Sequence, residues 1–397
     1  MDKLLESITN FLNSTGFALL GEEGWLPTVQ TLIMLAISCV LVYLAIGKGF
    51  EPLLLLPIAI GMLLTNLPGG EMFHLEFFIG QEVDYAQVLH DGGLLDLLYL
   101  GVKLGIYPCL IFIGIGAMTD FTPLISNPKS LLIGAGAQLG VFIAFSGALI
   151  SGQFTGNEAA SIGIIGGADG PTAILVTKTL APALLGAIAI AAYSYMALIP
   201  LIQPPIMKLV TTPAERKIRM TALRPVSRIE KLVFPIAVTA VVGLIVPAAL
   251  PLVGCLMFGN LLNVCGVTER LSKTVQNELM NIVTVFLGIS VGATASAENF
   301  LRLETILIIV LGLVAFCIST LGGLLTAKLM CKLTHGKINP LIGSAGVSAV
   351  PMAARVAQKV GQKEDPSNFL LMHAMGPNVA GVIGSAVAAG VLLSYFH

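Results

Sequence analysis

A carboxylate interrupts one of the most apolar stretches of this sequence. Residues 166–172 read Gly-Gly-Ala-Asp-Gly-Pro-Thr inside an apolar run from about 162 to 176. A charge at the centre of a membrane costs about 2.5 kcal/mol or more, and irregular backbone is stable there only inside protein or beside water. Transporters build ion sites from such broken helices. Asp169 is therefore a candidate ion or proton site. The competing interpretation is a kinked helix with a neutral, hydrogen-bonded aspartate.

A second interrupted segment supplies neutral oxygen atoms. Asn339 precedes Pro340, and Gly343, Ser344 and Ser348 follow. Carboxylate, amide and carbonyl oxygens are ligands that suit a small hard cation. Because no second acidic residue lies nearby in the sequence, Na⁺ fits better than a divalent ion. Each serine can instead hydrogen-bond a backbone carbonyl one turn back.

Three more polar residues lie in or beside apolar runs. Asn378 follows a proline in the last run, where helix packing alone explains an asparagine poorly. Tyr195 is either a core aromatic or a phenol that relays a proton or holds a substrate. Arg355 either extends its head to the membrane surface or binds a carboxylate through its planar fork.

The composition defines the elements that must position these residues. Of 397 residues, 56% are hydrophobic and 11% are charged, which predicts an all-α polytopic membrane protein. A net charge of −1 gives no reason to expect a nucleic-acid partner. The six cysteines form no Cys-x-x-Cys pair, so we expect neither a disulfide framework nor a metal site from them.

The charges between the apolar runs predict the topology. Segment 68–100 carries six acidic residues and no Lys or Arg, whereas segment 208–231 carries seven basic residues. The positive-inside rule puts the basic segment in the cytoplasm and the acidic one outside. An odd number of crossings must separate them, yet four apolar runs lie between, so the run around Asp169 turns back. The same count makes the run at 338–357 re-entrant, giving about ten transmembrane helices and two broken hairpins.

A weak internal repeat agrees with this count. Residue 61 matches 259, 112 matches 286, 169 matches 339, and 195 matches 378, all in the same order. Inverted repeats of this kind place a site near the membrane midplane, where the two broken elements meet. The resulting organisation is a lead-in at 1–28, a first transmembrane helix at 29–50, repeat one at 51–207 with a hairpin at 158–180, a basic cytoplasmic linker at 208–231, a connecting helix at 232–251, and repeat two at 252–397 with a hairpin at 337–360.

Three motifs together resemble a known family. They are the Asp169 motif at 166–172, Asn-Pro-Leu-Ile-Gly at 339–343 with Ser348 and Arg355, and Gly-Pro-Asn-Val-Ala-Gly at 376–381. They are similar to signatures of the β subunit of the sodium-pumping, biotin-dependent decarboxylases, of the oxaloacetate, methylmalonyl-CoA, glutaconyl-CoA and malonate types. The resemblance covers nearly the whole chain.

The resemblance implies a mechanism and roles for individual residues. Carboxybiotin, supplied in trans by a biotin carrier, would dock on the cytoplasmic side, where its decarboxylation consumes a proton and drives Na⁺ outward. The implied Na⁺ ligands are Asp169, Asn339 and Asn378. Ser348 and Tyr195 would bind Na⁺ or pass the proton. Arg355 would hold the carboxylate, and Gly343 would allow close approach of the backbone.

The resemblance also implies the surroundings of the chain. It predicts an elevator-like movement in a homo-oligomer within the cytoplasmic membrane of a prokaryote. The implied partners are the biotin carrier, a carboxyltransferase α subunit and a small membrane-anchoring γ or δ subunit. Two alternatives stay open, a secondary Na⁺/carboxylate transporter and a membrane scaffold without transport, although the cost of burying Asp169 argues against the scaffold. The sequence does not identify the acid that is decarboxylated upstream.

Overall fold

The computed structural model describes residues 2–22, 24–78 and 83–396, and every regular element within them is helical. The α-helices are α1 Asp2–Asn13, α2 Gly16–Glu22, α3 Trp25–Gly47, α4 Pro52–Thr65, α5 Tyr85–Asp91, α6 Leu94–Lys103, α7 Ile106–Met118, α8 Thr122–Ser126, α9 Ser130–Ala137, α10 Leu139–Ile150, α11 Gly156–Gly163, α12 Gly170–Leu180, α13 Leu185–Val210, α14 Pro213–Arg216, α15 Arg228–Ile245, α16 Leu250–Val264, α17 Glu269–Thr274, α18 Met280–Ala293, α19 Ala297–Phe300, α20 Leu303–Leu333, α21 Met352–Glu364 and α22 Leu371–Phe396. Short 3₁₀ segments lie at Leu75–Phe77, Ile164–Gly167, Pro182–Leu184, Pro247–Ala249 and Pro340–Gly346, and a π-helical segment lies at Val275–Leu279.

Six helical segments of the described ranges are long and apolar enough to cross a membrane, and two bent pairs raise the number to eight. The predicted all-α polytopic membrane class is therefore confirmed, with six to eight candidate spans. The ten expected crossings would also need α4, which has only 14 residues, and α15, which begins with three charged residues among its first four. The six are Trp25–Gly47, Ser130–Ile150, Pro247–Val264, Glu269–Ala293, Leu303–Leu333 and Leu371–Phe396.

The two bends have identifiable local causes. The α6–α7 pair bends by 63° at Gly105, whose φ of 79° lies in the left-handed region that glycine adopts readily. The α13 segment bends by 62° between Met196 and Leu198. Pro200 follows, and its ring removes one helical hydrogen bond and collides with the carbonyl four residues earlier. Both candidate spans are thus bent where the sequence cannot continue a straight helix.

Two helix pairs approach to backbone contact. In each pair a Cβ added to a glycine would collide with a carbonyl of the facing helix, so only glycine fits. The pairs are reciprocal, each helix contributing one glycine and one carbonyl. The contacts are Gly61 with Ile289 and Gly292 with Ile58 for α4 and α18, and Gly259 with Ile113 and Gly116 with Leu256 for α16 and α7.

Two interrupted helical segments meet beside α20 and α22. The first consists of α11, the 3₁₀ segment Ile164–Gly167 and α12, and its helical path is broken at residues 168–169. The second consists of the 3₁₀ segment Pro340–Gly346 and α21, separated by residues 347–351. We call these the first and the second hairpin. Both pack against α20 and α22, which hold the two breaks together.

Candidate functional site

Asp169 lies at the break of the first hairpin and caps the helix that follows. Ala168 adopts a left-handed conformation with φ of 54°, and Asp169 is extended. The Asp169 Oδ1 atom accepts a hydrogen bond from the Thr172 backbone N–H at 3.4 Å. The first turn of a helix leaves backbone N–H groups without helical partners, and Pro171 in the first turn of α12 has no such N–H. The Gly-Pro pair thus starts the helix, and its N-terminus faces the carboxylate, which favours a negative charge.

The second oxygen of Asp169 contacts the middle of α22. The Ser385 hydroxyl donates to Asp169 Oδ2 at 2.8 Å. Ser385 is the fifteenth of the 26 residues of α22, so the carboxylate lies at half the length of a candidate membrane span. Only 5% of Asp169 is exposed. The carboxylate is therefore buried far from either end of that helix.

The second hairpin touches the first next to Asp169. The Ser348 hydroxyl donates to the Gly167 carbonyl at 2.5 Å, and the Ser348 backbone N–H donates to the same oxygen at 3.2 Å. The Asn378 amide nitrogen, on α22, donates to the carbonyls of Val347 and Ala345 at 2.7 and 3.0 Å. Asn378 thus stabilises the break of the second hairpin against α22.

Two buried amide oxygens around these breaks have no hydrogen-bond partner among the described residues. They are Asn378 Oδ1 and Gln138 Oε1. Gln138 lies close to the Asp169 turn, because its Oε1 atom is 3.6 Å from the position that a Cβ on Gly167 would take. Buried polar atoms are nearly always paired, so unpaired oxygens beside a carboxylate indicate a missing partner.

The donor set fits a small monovalent cation. Carboxylate, amide and hydroxyl oxygens are hard ligands, and the unpaired oxygens have lone pairs to give. In the ranges that the structure describes, no three His, Cys, Asp or Glu side chains come together. One carboxylate with neutral oxygens suits a monovalent cation such as Na⁺.

Tyr193 and Tyr195 both lie on α13, and Tyr193, which the sequence did not single out, lies next to Asp169. The Tyr195 hydroxyl donates to the Ile309 carbonyl of α20, so its hydrogen bond is satisfied there. Tyr193 is fully buried, and its hydroxyl has no partner within the described chain. A Cβ on Gly170 would lie 2.6 Å from that hydroxyl oxygen. The Tyr193 phenol therefore lies against the first residue after Asp169.

Asn339 contacts the basic linker and makes no contact with the Asp169 turn. Its amide nitrogen donates to the carbonyls of Arg216 and Ile218 at 3.0 and 2.8 Å, and its oxygen accepts from the Leu341 backbone N–H. Asn368 donates to the same two carbonyls at 3.1 and 3.2 Å. The two asparagines therefore hold one stretch of the linker in place.

The remaining predicted residues lie at different depths. Arg355, on α21, is exposed, and its side chain makes no hydrogen bond or ion pair within the described ranges. Gly343 is buried in the second hairpin, where an added Cβ would collide with the Gly323 carbonyl of α20. The structure thus brings Asp169, Ser348 and Asn378 together around the two breaks, whereas Asn339 contacts the linker, Tyr195 contacts α20 and Arg355 is exposed on α21.

Sequence reasoning missed several of the residues that line the site. Ser385 carried one usable signal, because its position seven residues after Asn378 puts both on the same face of α22. Gln138 and Tyr193 gave no comparable signal, because each comes to Asp169 through the pairing of helices that are distant in sequence. Local pattern does not encode such pairings.

Comparisons with known proteins agree with one another. A sequence model of a family described as the Na⁺-transporting oxaloacetate decarboxylase β subunit matches residues 30–396. The methylmalonyl-CoA decarboxylase subunit β of Propionigenium modestum is 60% identical over 401 residues, covering 99% of this chain and 100% of the relative. The glutaconyl-CoA decarboxylase subunit β of Acidaminococcus fermentans is 55% identical, with 99% of each chain covered. The oxaloacetate decarboxylase β chain of Klebsiella pneumoniae is 54% identical, covering 91% of this chain and 94% of the relative.

Proposed function

The chain belongs to the family of Na⁺-transporting oxaloacetate decarboxylase β subunits, and from this premise we propose that it decarboxylates carboxybiotin and uses that reaction to pump Na⁺ outward. It is a membrane-embedded subunit of a Na⁺-transporting decarboxylase. The observation that carries the proposal is the buried Asp169 carboxylate, bonded to Ser385 between two broken hairpins and surrounded by unpaired oxygens. A buried carboxylate without a cation is costly, and a transported Na⁺ provides that cation.

Proton consumption explains why this ion site contains a titratable group. Loss of CO₂ from carboxybiotin leaves a nitrogen that must take up one proton. In our proposal Asp169 binds Na⁺ while it is ionised, and its protonation removes the charge that holds Na⁺ and releases the ion. Moving one charge against 100 mV costs about 2.3 kcal/mol, so one or two Na⁺ require only a few kcal/mol from the decarboxylation.

The site residues divide into ion ligands and supporting groups in this proposal. Asp169, Asn378 through its unpaired oxygen, and the Ser348 hydroxyl bind Na⁺. Arg355 is free to hold the carboxylate of carboxybiotin, since it has no partner within the described chain. Tyr195 supports the first hairpin, because its ring and Ile165 both lie against Gly312 of α20.

Asn339 and Gly343 hold the second hairpin in position. The resemblance implied Na⁺ binding by Asn339, but its amide nitrogen contacts two linker carbonyls, and its oxygen accepts from the backbone. Gly343 allows the hairpin to reach the backbone of α20. Both residues therefore act on the site through the placement of the second hairpin.

We also propose ten crossings, two re-entrant hairpins and an inverted repeat that moves in an elevator-like manner. The reciprocal glycine contacts support the repeat. Adding 198 to 58 and 61 of α4 gives 256 and 259 of α16, and adding 176 to 113 and 116 of α7 gives 289 and 292 of α18. The pair formed by α4 and α18 is thus repeated, with the roles exchanged, in the pair formed by α16 and α7.

The proposed surroundings follow from the family. The partners are a biotin carrier subunit, a carboxyltransferase α subunit and a small membrane-anchoring subunit, in a homo-oligomer in the cytoplasmic membrane of a prokaryote. Biotin-dependent chemistry enters with carboxybiotin from the carrier. Three relatives act on different upstream substrates by name, although their β subunits are more than 50% identical to this chain. This similarity supports assigning substrate choice to the carboxyltransferase.

The test is Na⁺-dependent decarboxylation of free carboxybiotin by the assembled complex in proteoliposomes, for wild type and Asp169→Asn. We expect Na⁺-stimulated decarboxylation with ²²Na⁺ movement in wild type, and loss of both in the variant, which keeps the shape of the side chain but removes its charge. Na⁺ flux that ignores biotin and follows an added carboxylate would establish a secondary transporter instead. A fully active Asp169→Asn complex would remove Asp169 from the ion site.

A further inference from the structure

A cavity of about 440 Å³ lies between the α3–α4 loop, α13 and the second hairpin. It is lined by residues 48–52 of the loop, by Pro200 and Leu201 at the bend of α13, and by Met352 at the start of α21. Pockets of about 300–1,000 Å³ are typical of small-molecule sites. The α3–α4 loop, which the Na⁺ site does not use, here meets two elements that contribute to that site.

The cavity and the ion site share two elements of the fold. Tyr193 of α13 lies against Gly170, next to Asp169, and Pro200 and Leu201, beyond the bend of the same helix, line the cavity. Met352 of the second hairpin lines the cavity as well, four residues after Ser348, which donates to the Gly167 carbonyl. The cavity is thus joined to the ion site through α13 and the second hairpin.

The charged side chains at the cavity make no hydrogen bond or ion pair within the described ranges. Glu51 begins α4 in a left-handed conformation, with φ of 40°, and no hydrogen bond or ion pair of its carboxylate occurs within the described ranges. Burial raises the pKa of Glu51. Lys48 is exposed at the rim and likewise unpaired in the described chain. Arg355, three residues after Met352 and so on the same side of α21, adds a second unpaired cation.

These groups match one ligand, and this inference rests on the function proposed above. We propose that the cavity binds the carboxylated ureido head of carboxybiotin, with Lys48 and Arg355 on the carboxylate and Glu51 accepting the remaining ureido N–H. Phe50, Leu201 and Met352 supply apolar walls for the sulfur-containing ring. Cations beside a carboxylate and an acceptor beside an N–H are the complementary pairs for this head group.

A second cavity of about 400 Å³ is the alternative location, and one of its two lysines is already occupied. It lies against α20 and is lined by Lys328, Lys332 and three apolar residues. The Lys328 ammonium donates to the Val210 carbonyl at 2.6 Å and pairs with Glu215 at 3.3 Å. An anionic ligand would have to displace both contacts to use Lys328. The first cavity also offers the Glu51 carboxylate as an acceptor for the ureido N–H, whereas the lining of the second has only lysines and apolar residues, and this difference favours the first cavity.

Kinetics of the assembled complex test the assignment. With free carboxybiotin as substrate, we expect Lys48→Met and Glu51→Gln each to raise KM about tenfold while the Na⁺ concentration for half-maximal activity stays unchanged. Glu71→Gln is the matched control, because Glu71 is a second glutamate in the left-handed region, with φ of 41°, and lies outside the cavity. Lys129→Met is the control for an exposed cation elsewhere. An unchanged KM in both cavity variants would overturn the proposal, as would equal effects in the controls.

Photolabelling locates the ligand without relying on turnover. A biotin analogue with a diazirine on its valeryl tail is irradiated with the wild-type complex, and labelled peptides are identified by mass spectrometry. Labels at residues 48–52 or 198–202, suppressed by excess biotin, would support the assignment, whereas labels at 325–332 would overturn it. Whichever cavity is labelled, the proposed pump function stands if Asp169→Asn abolishes Na⁺ transport. A wild-type complex without Na⁺-coupled decarboxylation would overturn the pump and this site together.

Discussion

Asp169, at the break of the first hairpin, and Asn339, at the start of the second, use the same local chemistry for different purposes. Asp169 and Asn339 each accept a hydrogen bond from a backbone N–H just ahead in the chain, and each is followed within two residues by a proline. Asp169 then turns its second oxygen to the Ser385 hydroxyl in the middle of α22. Asn339 instead turns its amide nitrogen to two linker carbonyls. Asp169 is thus oriented toward the ion site and Asn339 toward the linker.

The partner atoms explain which residue type occupies each of the two positions. Facing two carbonyl oxygens, an aspartate at 339 would be repelled, whereas the asparagine amide donates to both. At 169 the donor is a serine hydroxyl, and the carboxylate supplies the charge that a cation requires. The first hairpin therefore carries the charge of the ion site. The second hairpin positions that charge through the hydrogen bond from the Ser348 hydroxyl to the Gly167 carbonyl.

The largest expected effect comes from breaking the support of the second hairpin. Gly343→Ala places a Cβ against the Gly323 carbonyl, and neither backbone can rotate away as a side chain could. Overpacking of this kind costs about 3 kcal/mol. We expect a large fall in thermal stability of the purified complex and little assembled protein.

Gly147→Ala is the matched control for this substitution. The nearest atom to its added Cβ is 3.8 Å away, on the Leu311 side chain, which is an ordinary contact. An alanine inside a helix is favoured over glycine by about 0.5–1 kcal/mol. We therefore expect unchanged or slightly higher stability. If Gly343→Ala were as stable as Gly147→Ala, the backbone contact would not support the hairpin.

Two asparagine variants separate Na⁺ binding, assigned to Asn378, from support of the linker, assigned to Asn339. Asn378→Ala removes an oxygen proposed to bind Na⁺, and we expect the Na⁺ concentration for half-maximal activity to rise about tenfold, which is about 1.4 kcal/mol. Asn339→Ala should leave Na⁺ dependence near wild type but release the linker, measured as faster deuterium exchange at residues 211–219. Asn368→Ala should reproduce the linker effect, because it donates to the same carbonyls.

The opposite pattern would reverse the assignment. A Na⁺ dependence that shifts in Asn339→Ala and stays constant in Asn378→Ala would make Asn339 the ion ligand. Each variant controls for the other, because both remove a buried amide that donates to backbone carbonyls. A general loss of stability would change both measurements in both proteins.

The sequence predicted the breaks better than the contacts made at them. Glycine, proline and a charged residue within an apolar run are local signals, and they located a break in the helix at Asp169. The same signals grouped Asn339 with Asp169, because they do not record which distant segment each side chain faces. Ser385 and Tyr193 reach Asp169 through the pairing of helices. The membrane class was predictable from composition, whereas the number of spans depends on short, bent or charged helices such as α4 and α15.

The smallest expected effect concerns the ion pairs that close the linker over the second hairpin. Arg219 donates to Asp365 at 2.8 Å, and this bond, with further ones from Ser367, lowers the pKa of Asp365 to about 2. Because the folded pKa is below the ordinary value near 4, the pair stabilises the closed linker above that pH and loses this contribution as the pH falls toward 2. Spin labels at Lys217 and Lys363 should show a small increase in distance over this range, reduced by salt.

Arg219→Gln should abolish that response while leaving the linker closed at neutral pH. The more buried pair of Arg216 with Glu364, at 2.8 Å, still connects the linker to α21. Exposed pairs contribute little, so the distance at neutral pH should change less than in Asn339→Ala. If Arg219→Gln showed the same pH response as wild type, that response would come from a carboxylate other than Asp365. The linker would then be held near the second hairpin by the two asparagines and the Arg216 pair alone.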